Sequence, residues 1–290
     1  MDSVSQFALG AAVGQVTIGN AYGRKAALIG GVIATLPDLD SIFLQYLDMV
    51  SQFVYHRGVS HSIVFACFGG AFGAYVSTKL FRLKIGFKRW FWCWFLALFT
   101  HTLLDCFTSW GTQLFWPLAY RVAFHSVFII DPFYTVPLLI GIIWTLKTKT
   151  LRATYIGLIV SSTYLLWGVG VKQYVNAQFE KGLRQQQIIT KRYISRPTPF
   201  NSFLWSITAD YGDHYYTAYY SIFDDKPPTQ FKKSQPKNHR VLSVFSDHRK
   251  LQQLLFFTKG FYLVDQNPNH YLIYDARYGL FGDWDPHING

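Results

Sequence analysis

Histidine and aspartate recur at three places in the chain, in residue types and spacings that suit a metal ion. Pro37-Asp38-Leu39-Asp40 sets two carboxylates beside a proline, and His56 to Ser62 carries a histidine at each of positions 56 and 61. His101 and Asp105 stand at i and i+4, so one helix would project both from the same face. Imidazole and carboxylate groups are ligands of zinc, manganese and iron in proteins, and the three places therefore predict a metal centre.

These residues suggest distinct roles in a hydrolytic reaction. A divalent ion can lower the pKa of bound water so that hydroxide attacks near neutral pH. His56 is predicted to be a further ligand or the general acid or base, and Arg57 is predicted to bind a phosphate or to stabilise negative charge. We expect one or two ions, zinc first, with manganese or iron as alternatives. The predicted metal ligands are Asp38, Asp40, His61, His101 and Asp105.

Structural roles compete with this interpretation at single positions. An Asp or His at the end of a membrane span is usually hydrogen-bonded or interfacial, and we interpret Asp131 and His125 in that way. A structural hydrogen bond between His101 and Asp105 is a further alternative. The metal hypothesis depends on the joint placement of the six His and Asp residues at one predicted membrane level.

The composition is that of a membrane protein. Hydrophobic residues make up 50% of the 290 residues and charged residues only 15%, against roughly 25% in ordinary soluble proteins. The net charge is +11, but no dense basic stripe accompanies it, so we expect no nucleic-acid partner. The 3 cysteines lie in or beside apolar runs and are expected to be buried thiols.

Apolar runs predict a mainly α fold, a polytopic helical membrane bundle with five or six spans. Each run approaches the roughly 20 residues that a span needs. Val4–Ile18 is short and rich in glycine and alanine, and the sequence does not decide whether it spans the membrane. The other candidate spans are Ala26–Leu47 with a break at Pro37, Ser62–Thr78, Trp90–Leu104, Val127–Leu146 and Ala153–Val171.

Lysine and arginine set the expected orientation. They cluster at positions 24–25, 79–89 and 147–152, which we place in the cytoplasm by the positive-inside tendency. Residues 1–171 then form a transmembrane domain that carries the metal site, and residues 172–290 form a small extracytoplasmic α+β domain. In that domain we predict a helix at Ser246–Phe257, and strands at Tyr215–Phe223, Val241–Phe245, Phe261–Val264 and Tyr271–Tyr274.

Together, the three motifs resemble those of the membrane-bound metal-dependent hydrolases, which include the LexA-regulated inner-membrane hydrolases of bacteria. His101-Thr102-Leu103-Leu104-Asp105-Cys106-Phe107-Thr108, with Gly111 and Trp116-Pro117, completes the pattern begun at Pro37 and His56. The resemblance covers about residues 1–171 and implies a multi-pass protein of the bacterial inner membrane. Many members of that family carry a histidine near the N-terminus, where this chain offers only Asp2 or Gln6. The long tail is similar to that of a longer subgroup.

We therefore predict an enzyme, a membrane-embedded metal-dependent hydrolase that acts at the outer membrane face. Its substrate would be a phosphoester or lipid-like molecule reached from the bilayer. Two non-enzymatic alternatives remain open: a transporter that passes a metal or proton, and a membrane scaffold. A transporter should carry ionisable residues through the full membrane depth, whereas the predicted site lies at one side.

Overall fold

A computed structural model describes residues 1–81, 85–190, 192–267 and 270–278. Arg82 and Lys84 of the predicted basic loop lie outside the described residues, as do residues 279–290 of the predicted C-terminal domain. The described chain is mostly helical, with a small antiparallel sheet region toward its C-terminus. The helices are α1 (Ser3–Tyr22), α2 (Arg24–Thr35), α3 (Asp40–Leu44), α4 (Met49–Tyr55), α5 (Ile63–Leu80), α6 (Phe87–Cys106), α7 (Pro132–Thr148), α8 (Arg152–Gln185) and α9 (Arg249–Phe257).

Residue contacts divide the chain into two compact units. The helical unit comprises Met1–Asp48, Tyr55–Val171 and Pro199–Ser202. The C-terminal unit comprises Met49–Val54, Lys172–Thr198 and the residues from Phe203 onward. Helix α8 contributes residues to both units, because it continues without a break from Arg152 to Gln185.

Helix α1 lies at the centre of the helical unit. Asp2 caps it by accepting hydrogen bonds from the backbone N–H groups of Val4 and Ser5, and the helix packs against α2, α6 and α7. A methyl group at Gly14 would overlap the carbonyl oxygen of Ala26, so glycine here permits close contact with α2. The segment left undecided by the sequence is therefore an interior helix of this unit.

Proline breaks the second helix next to the first pair of aspartates. Helix α2 ends at Thr35, and Pro37–Leu39 forms a single 3-10 turn that leads into α3. The segment Pro37–Leu44 lies at an angle of 42° to α2. A proline cannot donate the helical hydrogen bond and its ring clashes with the preceding turn, which accounts for the bend. The predicted kink at Pro37 is confirmed.

Fewer helices are long and apolar enough to cross a membrane than the five or six spans expected. Among the described residues two meet the requirement, α5 and α8, and a third span results if the bent pair α2 and α3 is counted as one. Helix α7 has only 17 residues. In α6 the uncharged stretch lies between Arg89 and His101, because ionisable residues occupy both of its ends.

The C-terminal unit contains two antiparallel sheets. β1 (Tyr193–Pro197), β2 (Leu204–Tyr211), β3 (His214–Ser221) and β4 (Lys232–Lys233) pair in that order, and β5 (Tyr262–Asn267) pairs with β6 (His270–Asp275). Buried aromatic side chains form the core between the strands, with Tyr215 stacked on Phe261 at a ring-centroid distance of 5.8 Å.

Three of the four predicted strands correspond to β3, β5 and β6, and the predicted helix corresponds to α9. The fourth prediction was wrong, because Val241–Phe245 lies in a 3-10 helix, His239–Phe245. Its apolar residues are not spaced for one face of a strand, since Val241, Leu242 and Val244 alternate irregularly with polar residues.

Candidate metal centre

Four side chains from separate parts of the helical unit converge on one point. The contributing atoms all lie within 4.8 Å of one another, and three of the four residues are buried. Nε2 of His101 is 3.1 Å from Nε2 of His61. Among the described residues this is the one group of three or more His, Cys, Asp or Glu side chains so arranged. The four residues are Asp38, His61, His101 and Asp105.

The spacing of these atoms suits a small divalent cation. Zinc binds nitrogen and oxygen at about 2.0–2.2 Å, which puts neighbouring ligand atoms of a tetrahedral site about 3.3 Å apart. His61 Nε2 lies 3.3 Å from Asp38 Oδ1 and 3.4 Å from Asp105 Oδ2. His101 Nε2 lies 3.5 Å and 3.8 Å from the same two oxygens. Two imidazoles and two carboxylates at these distances make a donor set that fits zinc, manganese or iron.

Three helix ends bring the four residues together. Asp38 lies in the turn created by Pro37, and His61 in the 3-10 turn that immediately precedes α5. His101 and Asp105 come from the last turns of α6, one helical turn apart as their spacing predicts. The structure therefore assembles four of the five predicted metal ligands.

Polar groups surround the buried carboxylate of Asp105. Its Oδ1 accepts a hydrogen bond of 3.1 Å from Gln6 Nε2 and also contacts the amino group of Met1. Its Oδ2 receives no hydrogen bond, although Arg57 Nε lies 3.1 Å away and both histidine nitrogens lie within 3.8 Å. A fully buried carboxylate oxygen without a hydrogen-bond donor is costly. A cation among the four atoms would satisfy it.

Asp40, the fifth predicted ligand, lies outside this four-atom group. Its Oδ1 pairs with His56 Nδ1 at 2.8 Å, and its Oδ2 accepts a hydrogen bond of 2.7 Å from Ser60 Oγ. Ser60 Oγ lies 3.0 Å from His61 Nδ1. Because the one hydroxyl hydrogen of Ser60 goes to Asp40, the serine oxygen accepts from His61 Nδ1, and the lone pair of His61 is left on Nε2. Asp40 thus orients a ligand through Ser60.

His56 lies on the accessible side of the cluster. Its side chain is 25% exposed and that of Asp38 is 29% exposed, whereas those of His61, His101 and Asp105 are fully buried. The His56 and His61 rings meet edge to face at 5.7 Å between centroids. A molecule from solvent or from the membrane interface would therefore reach the cluster past His56 and Asp38.

Arg57 is buried beside the cluster. Its Nη1 donates to Thr108 Oγ1 at 2.9 Å, and its side chain is only 4% exposed. The backbone at Arg57 has a positive φ of 59°, which turns the chain between His56 and the following 3-10 turn. In this position the guanidinium faces Asp105, so its predicted contact with a substrate phosphate stays a prediction.

Sequence reasoning left out two residues of this network, Ser60 and Thr108. Both are hydroxyl residues adjacent to a predicted ligand in sequence or one turn beyond it, and that adjacency was the available signal. Gln6, considered in place of the N-terminal histidine, does reach the site. It donates to Asp105 and to the His101 carbonyl oxygen, and its own Oε1 is buried without a hydrogen-bond partner.

Asp131 belongs to a separate hydrogen-bond network. Its Oδ1 caps α7 by accepting from Phe133 N, and its Oδ2 accepts from Tyr164 and Ser202 at 2.9 and 3.2 Å. These contacts are those of a structural residue.

The fold and site define a helical membrane protein with a buried His/Asp cluster near the ends of its helices. A family model described as "YdjM inner membrane protein" matches residues 1–175, and the chain belongs to that family. The protein is therefore associated with the lipid bilayer of an inner membrane. Comparison with the curated proteins and with the solved structures gives no match.

Proposed function

We propose that this protein is a membrane-embedded, metal-dependent hydrolase whose substrate is a phosphoester or lipid-like molecule. The observation that carries the proposal is the convergence of two imidazole nitrogens and two carboxylate oxygens on one point, with three of the four residues buried. A divalent ion held by the four residues would supply Lewis acidity and lower the pKa of water.

His56 is proposed as the general acid or base. Its Nδ1 pairs with Asp40, which fixes the orientation of the imidazole, as a carboxylate does for a catalytic histidine. Its partial exposure places it where a substrate would arrive. His56 can therefore accept a proton during attack and return it to the leaving group.

Arg57 is proposed to position Asp105. Its guanidinium lies against Asp105 Oδ2 and is held by Thr108, so it keeps the carboxylate aimed at the two histidines. The positive charge also offsets the negative charge of a cluster that contains two carboxylates. The predicted contact with a substrate anion requires movement of this buried side chain.

The apolar surroundings of Asp38 and Asp40 favour a substrate with an acyl chain. Phe43 and Tyr46 are 75% and 81% exposed on the segment that follows the two aspartates, and Leu39 and Ile42 are also exposed. In the interface of a bilayer these side chains would contact acyl chains while the headgroup lies beside His56.

The proposed topology places the metal site and the C-terminal unit on the extracytoplasmic side. Lys147 in the last turn of α7, Lys149 in the connection and Arg152 at the start of α8 lie at the opposite end of α7 from Asp131. Basic connections of this kind remain in the cytoplasm. A membrane-impermeant thiol reagent tests this, with cysteine introduced at exposed Asp225 or Lys149 of full-length protein. Labelling at 225 from outside whole spheroplasts, and none at 149, is expected; the reverse pattern would contradict the topology.

Hydrolysis is tested on detergent-purified, zinc-loaded protein with phosphatidic acid and phosphatidylglycerol in mixed micelles, in water enriched in oxygen-18. Wild type should release a product that carries the label. His56→Ala should retain its metal and lose about 10²–10⁴ in kcat, the usual contribution of a general acid or base. His248→Ala, at an exposed C-terminal position, serves as the control. A metal-loaded wild type that cleaves neither these lipids nor soluble phosphoesters would overturn the proposal.

A further inference from the structure

The helical unit contains a polar cavity at the end remote from the metal centre. The cavity has a volume of about 600 Å³ and lies between the turn joining α1 to α2 and the turn joining α7 to α8. Gln6 at the start of α1 contacts the metal cluster, whereas Gln15 and Asn20 of the same helix line the cavity. At 1.5 Å per residue Gln15 and Asn20 lie about 14 and 21 Å from Gln6 along α1, so the cavity is not part of the metal centre.

The charge of this cavity is positive. Arg24 and Lys149 line it, and its lining contains no carboxylate. Arg24 Nε donates to the Leu146 carbonyl oxygen at 3.0 Å, which holds the guanidinium at the cavity wall. Helices α2 and α8 begin beside the cavity and α1 and α7 end beside it, so their dipoles oppose one another and the two side-chain cations determine the positive charge. The cavity therefore suits an anion.

The surface next to Arg24 is apolar. Leu28 and Val32 follow at four-residue spacing on α2, and their side chains are 61% and 49% exposed. Residues at i, i+4 and i+8 share one helix face. Arg24 at the start of α2 and the apolar side chains of Leu28 and Val32 therefore lie on the same face of the bent candidate span. Leu146 and Leu151 add apolar surface inside the cavity. A soluble phosphate would contact only the cations, whereas a phospholipid would contact the cations with its headgroup and the apolar side chains with its acyl chains.

We propose that this cavity binds the phosphodiester headgroup of an anionic phospholipid, with its acyl chains along Leu28 and Val32. Arg24 and Lys149 hold the phosphate oxygens, and Asn20 hydrogen-bonds to the headgroup. Basic pockets between helices at the cytoplasmic side bind anionic lipids by this chemistry. The site is independent of the hydrolase proposal, because its residues make none of the contacts of the metal cluster.

The test is lipid binding to the full chain in detergent micelles, measured by titration and by counting bound lipids in native mass spectra. The probes are phosphatidylglycerol, phosphatidylcholine and inorganic phosphate. Wild type should bind phosphatidylglycerol in preference to phosphatidylcholine. One cation near a membrane surface is worth about fivefold in affinity, so Lys149→Gln should weaken binding about fivefold and Arg24→Gln/Lys149→Gln about 25-fold.

Lys25→Gln is the matched control, because Lys25 is an exposed neighbour of Arg24 that does not line the cavity. It should bind phosphatidylglycerol as wild type does. Lys149→Gln preserves the hydrogen bond between Arg24 and Leu146 and so provides a folded variant if the double variant is unstable. Equal binding of the two lipids, equal effects of Lys25→Gln and Lys149→Gln, or displacement of the lipid by inorganic phosphate would overturn the proposal.

Discussion

The hydroxyl of one serine determines which nitrogen of His61 carries the lone pair that faces the His/Asp cluster. Ser60 gives its hydrogen to Asp40 and receives one from His61 Nδ1, so His61 Nε2 carries the lone pair. Metal-binding histidines are commonly oriented by such a second hydrogen bond. Without Ser60, the proton of His61 could lie on either ring nitrogen. The tautomer that leaves Nε2 free to bind a metal would then no longer be fixed.

Ser60→Ala should therefore weaken zinc binding by about 10–100-fold, the usual cost of removing an orienting partner of a metal ligand. Competition with a chromophoric zinc chelator measures the dissociation constant of the purified protein. Ser60→Thr retains a hydroxyl and should restore most of the affinity. If alanine and threonine at position 60 gave the same affinity as serine, the hydrogen-bond chain would have no part in metal binding.

Much of this site was predictable because its residues are of types that are costly inside a membrane. Asp38, His61, His101 and Asp105 were identified from residue type and from the i, i+4 spacing of the last two. The sequence could not show that Asp38 belongs to the four-residue cluster while Asp40 contacts His56 and Ser60. The directions of two side chains two positions apart in a 3-10 turn depend on the local geometry of that turn. The burial of Arg57 was likewise hidden, because its positive φ is a property of the folded loop.

Close contact between α1 and α2 in the helical unit depends on glycines that face the backbone of the neighbouring helix. Gly14 of α1 meets Ala26 of α2, and Gly10 meets Gly30 of α2. In membranes, small residues at such crossings allow packing and backbone contact that larger side chains prevent. This contact also sets the position of Gln6, which reaches Asp105 from α1.

Gly14→Ala should destabilise the protein by about 1–3 kcal/mol, the typical cost of adding a methyl group to a packed contact. Thermal unfolding in detergent provides the measurement. Gly170→Ala is the matched control: Gly170 is also inside a helix, but an added methyl group meets nothing within 4 Å. Equal melting temperatures for the two variants would show that α1 and α2 do not pack as described.

The C-terminal sheet contains a charge cluster that makes stability depend on pH. Asp210 of β2 pairs with buried Lys237 and, at 2.7 Å, with Arg192. Burial raises the pKa of Asp210, but the hydrogen bonds from Lys237 and Arg192 outweigh it and hold the pKa below its ordinary value. A carboxyl with a depressed folded-state pKa stabilises the fold above its unfolded pKa of about 3.9, and this contribution is lost as pH falls through the folded-state pKa.

Asp210→Asn should therefore lower the melting temperature by several degrees at pH 7, because it leaves the buried ammonium of Lys237 without its carboxylate. The difference from wild type should shrink as pH falls below about 4, because the Asp210 carboxyl of the unfolded chain begins to bind a proton there while that of the folded chain is still charged. Near-ultraviolet circular dichroism of the full chain follows the transition, with Asp225→Asn at an exposed position as control. A difference that is constant with pH would contradict the assigned ion pairs.

Secondary structure was predicted best where the chain is apolar or alternates regularly. The run Ser62–Thr78 corresponds to α5, with Ser62 as its N-cap, and Ala153–Val171 lies within α8. The strands β3, β5 and β6 coincide with predicted aromatic segments. The sequence did not predict β1 and β2, because polar and apolar residues are mixed in both segments. Their strand conformation depends on antiparallel pairing with each other and with β3, which their own residue pattern does not indicate. Fewer helices of the described chain meet the length and hydropathy requirement of a span than the five or six predicted, since an apolar run can also form a shorter helix such as α7.

Membership of an inner-membrane family and a buried His/Asp cluster together support the proposal that the helices hold a divalent metal at one side of the membrane. The helical unit carries both polar sites, with the metal cluster near one end of its helices and the positive cavity near the other. The metal cluster is the central element, because the proposed hydrolysis depends on it.

Metal content of the detergent-purified protein, measured by inductively coupled plasma mass spectrometry, tests this most directly. Wild type and the His248→Ala control should each contain about one zinc, manganese or iron ion per chain, and His101→Ala/Asp105→Ala should contain none. A wild type that contains metal but hydrolyses no tested substrate would support the metal site and contradict the proposed hydrolase activity. A well-folded wild type that contains no metal and takes up none from added zinc, manganese or iron would contradict the account.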